Sequence, residues 1–93
     1  MTSKERAALI GKAMTMDPIL SVGKGGVTPE LMKNVDEALT ARELIKMSVQ
    51  KNCFEPVRDI AIMVAERSRS ELVQVIGRRF VLYRYSKDLK KHI

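Results

Sequence analysis

Tryptophan is absent, and the aromatic residues come to two phenylalanines and two tyrosines: Phe54, Phe80, Tyr83 and Tyr85. A core made from this chain must therefore rest on Leu, Ile, Val, Ala and Met. The single cysteine, Cys53, excludes an internal disulfide and fits a small buried filler. The single histidine, His92, lies near the end of the sequence. A His-based catalytic triad or a Cys/His metal site therefore has no material to draw on. No apolar run approaches the roughly 18–20 residues that a membrane-spanning helix needs. Met1 to Arg6 are mostly polar and no apolar signal segment follows them, so a cytoplasmic location is expected. The G-x-x-x-x-G-K-[ST] form is missing, which removes the usual sign of nucleotide hydrolysis. These gaps together predict no enzymatic activity, no cofactor, no metal, no small-molecule substrate and no membrane partner.

What is present is a basic, moderately apolar chain. It has 93 residues, 45% hydrophobic and 30% charged, as a single folded domain requires. Lys and Arg number 17 against 11 Asp and Glu, a formal charge of +6. That excess calls for an acidic partner, most often nucleic acid.

The chain alternates helical and extended patterns. Thr2-Ser3-Lys4-Glu5 has capping-box spacing and opens a helix to about Met14. Leu9, Ile10, Ala13 and Met14 form its inner side, leaving Lys4, Arg6 and Lys12 outside. Asp17-Pro18 ends the segment, and Ile19 to Val22 reads as a short buried strand. A second helix spans Pro29 to about Thr40, with Leu31, Met32, Val35, Ala38 and Leu39 as its stripe. Ile45, Met47 and Val49 share one face of the next strand, with Leu44, Lys46 and Ser48 on the other. Lys51 to Pro56 is a loop opening a third helix that ends near Ser68. Its stripe is Val57, Ile60, Ala61 and Val64, widened by Ile62 and Met63. Glu71–Ile76 and Arg79–Arg84 are strands joined at Gly77-Arg78, a hairpin. Tyr85 to Ile93 is expected to fray.

The order is α-β-α-β-α-β-β, a single compact α/β domain with a mixed four-stranded sheet and three helices. Strands joined through helices are expected to be parallel neighbours, and the final pair antiparallel. Residues 1–86 form the domain and 87–93 a basic tail.

The stretch Val22-Gly23-Lys24-Gly25-Gly26-Val27-Thr28-Pro29-Glu30 joins the first strand to the second helix. Thr28 suits an N-cap, Pro29 the first helical position, and Glu30 the positive end of the dipole. Its glycines admit close approach to the backbone, and free N–H groups beside Lys24 suit an anion. A G-x-x-G of this kind clamps RNA in KH domains, although there it joins two helices. Ile76 to Tyr83 partly matches the RNP1 octamer of RRM domains. Gly77, Phe80, Val81 and Tyr83 fit, but Ile76, Arg78 and Arg79 do not. Phe80 and Tyr83 are accordingly read as packing residues of the hairpin.

Four blocks carry a resemblance: Thr2-Ser3-Lys4-x-Arg6-Ala7, Val22 to Thr28, Ala38-Leu39-x-x-Arg42-Glu43-Leu44-Ile45-Lys46, and Leu72 to Arg78 with Val81-Leu82-Tyr83-Arg84. In this order, over about residues 2 to 85, the chain resembles the YhbY-type, stand-alone bacterial form of the CRM (chloroplast RNA splicing and ribosome maturation) domain. The resemblance implies a fold similar to the C-terminal domain of translation initiation factor three. It implies RNA as partner, in particular ribosomal RNA of the large-subunit precursor, and a role in ribosome assembly; apart from the resemblance, a monomer is expected. Related domains in plant organelles assist intron splicing, and a protein-interaction adaptor on the assembling ribosome is the other alternative. The resemblance carries the RNA loop onto Gly23, Lys24, Gly25 and Gly26, with Thr28 beside them. Lys12, Lys33, Arg78, Arg79 and Arg84 are expected flanking contacts.

Overall fold

The computed structural model describes all 93 residues. Its elements are α1 (Ser3–Ala13), β1 (Leu20–Val22), α2 (Pro29–Arg42), β2 (Leu44–Val49), α3 (Val57–Ser68), β3 (Glu71–Ile76) and β4 (Arg79–Tyr83). The N-cap half of the capping box forms: Thr2 Oγ1 accepts from the Glu5 amide at 3.1 Å, while the Glu5 carboxylate reaches back to the Thr2 hydroxyl instead of its backbone N–H.

Strand order is β1-β2-β4-β3. β1 and β2 are parallel neighbours through the α2 crossover, as expected. β2 and β3, joined through α3, are not neighbours; β4 inserts between them, antiparallel to both. Burial explains the correction. Phe80, Val81 and Leu82 are three consecutive buried residues, so β4 needs cover on both faces and takes a central place. β3 is buried only at Val73, exposes Glu71 and Ile76, and suits an edge. A bulge between Leu72 and Gln74 interrupts that edge ladder.

The sheet is packed on both faces. On one, Ile45, Met47, Val49, Phe80 and Leu82 meet Val35 and Leu39 of α2 and Ile60, Ala61 and Val64 of α3. On the other, Leu44, Val73 and Val81 meet Leu9 and Ala13 of α1. Cys53 is buried in the larger cluster, as read from sequence.

Several outward or inward assignments change. Met14 is 76% exposed: it continues the helical path, but the face of α1 that is buried is that of Leu9 and Ala13, and Met14 lies one helical step off it. Ile62 is exposed, since α3 has a sheet beneath it and no layer above. Arg6 is not a free cation: its guanidinium donates to the Leu72 and Val73 carbonyls at 2.7 and 2.8 Å, at the β3 bulge. Residues 84–86 and 92–93 do not fray. They fold back onto Glu43, a buried carboxylate at the end of α2 with φ 63°. Glu43 accepts from the Ser86 and Ile93 amides at 3.0 and 3.2 Å and pairs with the His92 ring, which stacks on Tyr85. Burial pushes the Glu43 carboxyl up, but those donors outweigh it and hold it below its ordinary range.

Candidate nucleic-acid interface

The parallel sense of β1 and β2 and the antiparallel setting of β4 bring three connections to one end of the sheet. They are the β1–α2 turn (residues 23–28), the β2–α3 loop (50–56) and the β3–β4 turn (77–78). Backbone bonds lock them together: Gln50 N–H donates to the Val22 carbonyl at 2.8 Å and Val49 N–H to the Arg78 carbonyl at 2.7 Å. This is the carboxyl end of β1, β2 and β3, where open α/β sheets receive ligands.

The first turn is built as its residues dictate. Gly26 N–H closes onto the Gly23 carbonyl at 3.0 Å. Gly26 has φ +70°, and a Cβ there would stand 3.3 Å from a Glu55 carboxylate oxygen. Gly26 is therefore the position that needs glycine. Gly25 has no positive φ, and a Cβ there would meet only Thr28 Cγ2 at 3.7 Å, an ordinary contact. At Gly23 a Cβ would press the Gln50 side chain at 3.2 Å. Thr28 Oγ1 caps α2 by accepting from the Leu31 amide at 3.1 Å, and Pro29 occupies the first turn. The amides of Lys24 and Gly25 donate to no protein acceptor. Lys24 is exposed at the tip and forms no ion pair. Two free amides and a free ammonium at a helix N-terminus can hold a phosphate oxygen.

The flanking residues divide. Arg79 is exposed at the start of β4, on the same end, opposite Ile76 and Ser48. Lys33 is exposed in the second turn of α2, behind the loop. Arg78 is committed: its guanidinium donates to the Val49 and Gln50 carbonyls and, at 3.4 Å, to that of Cys53. It fastens the β2–α3 loop to the hairpin while leaving its charge at this end. Lys12 lines a small hollow with Glu5, Tyr83 and Ile93, toward the opposite end of the sheet. Arg84 is a correction in kind. It pairs with Asp36 at 2.8 Å and donates to the Asp36 and Ser68 carbonyls and to Thr40 Oγ1, binding α2, α3 and β4 at the far end. Four of its five N–H donors are thereby spent on the fold, at the end of the sheet away from the glycine turn.

Sequence reasoning passed over Lys51 and Phe54. Both are exposed in the β2–α3 loop, and Phe54 is the most exposed large apolar residue at 91%. The basic Lys51 beside a proline-ended loop was the available signal. That its loop shares a sheet end with the Lys24 turn emerges only once β1 and β2 are paired. The structure has no helix long and apolar enough to cross a membrane, and no grouping of three His, Cys, Asp or Glu that could take a metal ion.

Comparison with known proteins bears on the family and the fold. The model of the CRS1 / YhbY (CRM) domain matches residues 1–84. A Bacillus subtilis protein named "Probable RNA-binding protein YqeI" is 48% identical over 98% of this chain and 95% of its own length. A Methanocaldococcus jannaschii protein, also named as a probable RNA-binding protein, is 34% identical over 100% of this chain and 70% of its own. A Staphylococcus aureus protein of solved solution structure, itself described as an RNA-binding candidate, superimposes with TM-score 0.81 at 43% identity, covering 97% of this chain and 94% of that one.

Proposed function

The chain belongs to the CRS1/YhbY (CRM) domain family, and from that premise we propose that it is a non-catalytic RNA-binding protein that holds backbone phosphates on the Gly23–Gly26 turn. The observation that supports this is the meeting, at one sheet end, of unpaired Lys24 and Gly25 amides with the free cations Lys24, Lys51 and Arg79. Each neutralised phosphate releases counterions, so binding is driven by this cluster and weakens with salt. About three to five contacts give a log–log salt slope near −2 to −4. The RNA is that of the large ribosomal subunit precursor, and the protein acts there as a monomeric cytoplasmic assembly factor. Arg78 and Gln50 keep the three connections in register, so the site is preorganised rather than formed on binding.

One feature favours a second reading. The sheet face beyond α1 leaves a groove of about 210 Å³ lined by Met14, Lys46, Gln74, Ile76, Arg79 and Val81, with Met14 and Ile76 exposed. An adaptor could seat a protein there. Sedimentation with large-subunit precursors, before and after ribonuclease, separates the two. Loss of co-sedimentation with the RNA supports phosphate binding, and retention on protein cores rejects it. A flat salt response with purified RNA also rejects it.

A further inference from the structure

Phe54 stands out because the chain spends its few aromatics sparingly. Phe80 is 1% exposed in the core, whereas Phe54 is 91% exposed. An aromatic side chain can bury roughly 150–250 Å² of surface, so leaving one in water forgoes a large gain. Nor is the ring on a loose segment. Cys53 before it is buried, its amide bonded to the Gln50 carbonyl at 3.1 Å and its carbonyl facing the Arg78 guanidinium. Glu55 after it lies against Gly26, and Pro56 fixes the backbone at the N-cap of α3. The backbone carrying the ring is thus tied on one side to the hairpin and on the other to the glycine turn. The same loop and the first turn of α3 carry the exposed Lys51, Arg58, Glu55 and Asp59, and exposed Lys24 lies on the glycine turn at the same end of the sheet.

Resting on the RNA reading above, we propose that Phe54 is a stacking platform for an unpaired base of the RNA whose phosphates lie on the Gly23–Gly26 turn. A flat apolar face next to a phosphate clamp matches what a splayed nucleotide presents: charge on the backbone and a π-face on the base. Stacking tolerates any base, so the platform selects single-stranded or looped RNA over duplex without reading sequence. Charged surroundings in which cations outnumber carboxylates, beside the free amides of Lys24 and Gly25, favour a nucleic acid over an apolar protein segment as the occupant.

The test compares a stem-loop RNA with a blunt duplex of the same stem, by fluorescence anisotropy. Phe54→Ala should weaken stem-loop binding about five- to a hundred-fold. Duplex affinity, salt slope and melting temperature should stay at wild-type values, since an exposed ring supports neither phosphate contact nor fold. Phe54→Trp should keep the affinity and place the only tryptophan in the chain at the site; its fluorescence should be quenched by the stem-loop and not by the duplex. Phe54→Leu should not restore binding, because it keeps apolar area without the π-face. The proposal falls if Phe54→Ala binds the stem-loop normally, if it loses duplex affinity equally, or if leucine rescues it. If Lys24→Ala weakens binding while Phe54→Ala does not, stacking alone is refuted and the phosphate site stands. If wild-type protein shows no salt-dependent binding, both are refuted.

Discussion

Replacing Lys24 with alanine removes one free charge from the tip of the glycine turn and touches no hydrogen bond or ion pair of the fold. A unit-charge pair about 4 Å apart in water is worth about 1 kcal/mol. That corresponds to about a five-fold loss of RNA affinity. The log–log salt slope should become shallower by about 0.7–0.9. Melting should be unmoved, as for most exposed substitutions. Two glycine variants separate electrostatics from geometry. Gly25→Asp has room for its Cβ and no positive φ. It should fold normally yet bind at least as poorly as Lys24→Ala, since it puts a carboxylate where a phosphate belongs. Gly26→Ala must hold a side chain at φ +70° and crowd the Glu55 carboxylate at 3.3 Å. The left-handed conformation costs about 1–2 kcal/mol. At about 4–8 °C per kcal/mol for a domain of this size, its melting temperature should fall clearly. Anisotropy over a salt series and thermal unfolding by circular dichroism, on the same three proteins, read both quantities. Unchanged affinity and slope for Lys24→Ala would refute the phosphate clamp and move the site to Arg79. A lowered melting temperature for Gly25→Asp with none for Gly26→Ala would refute the turn geometry.

The adjacent arginines should separate in the same assays. Arg78→Ala should lose about 1–3 kcal/mol of stability by freeing the Val49 and Gln50 carbonyls, whereas Arg79→Ala should stay within about 0.5 kcal/mol and instead flatten the salt slope. Glu43 should give the fold an acid-sensitive component. Its folded carboxyl lies below its ordinary value, so its contribution is present above the unfolded value of about 4.3 and is lost as pH falls through the lower folded one. Melting curves from neutral pH to acid should show that loss in the wild type and lack it in Glu43→Gln, which should be less stable at neutral pH.

Much of the fold was readable because its signals are local. The α2 stripe put Val35 and Leu39 inward, and the alternation of β2 put Ile45, Met47 and Val49 on the α2/α3 face. The capping residues Thr2 and Thr28 do what their spacing announces. The strand order was not readable, because α3 links β2 to β3 in sequence while β4 has the stronger claim to a central place. That claim shows in three consecutive buried residues only once both faces are known to be covered.

The arginines mark the limit of local reading at the site. Arg6, Arg78 and Arg84 look like free basic residues in sequence. Each instead satisfies backbone carbonyls that are 66–67, 25–29 and 16–48 positions away. The carbonyls of Leu72 and Val73 flank the β3 bulge, those of Gln50 and Cys53 sit in a loop, and those of Asp36 and Ser68 lie in helices. A planar guanidinium holds five donors on three nitrogens in a fixed fork and so reaches separated acceptors from one pose, whereas a lysine has three donors on a single nitrogen. The chain accordingly uses lysine and arginine differently around the turn. Lys24 and Lys51 remain unpaired in water, while Arg78 gives its donors to the backbone that positions them. Arg78→Lys should therefore keep the charge at this end of the sheet but lose the fastening. It should lower the melting temperature as Arg78→Ala does, while leaving the salt slope at the wild-type value. A lysine that restored full stability would show that Arg78 acts there only as a charge.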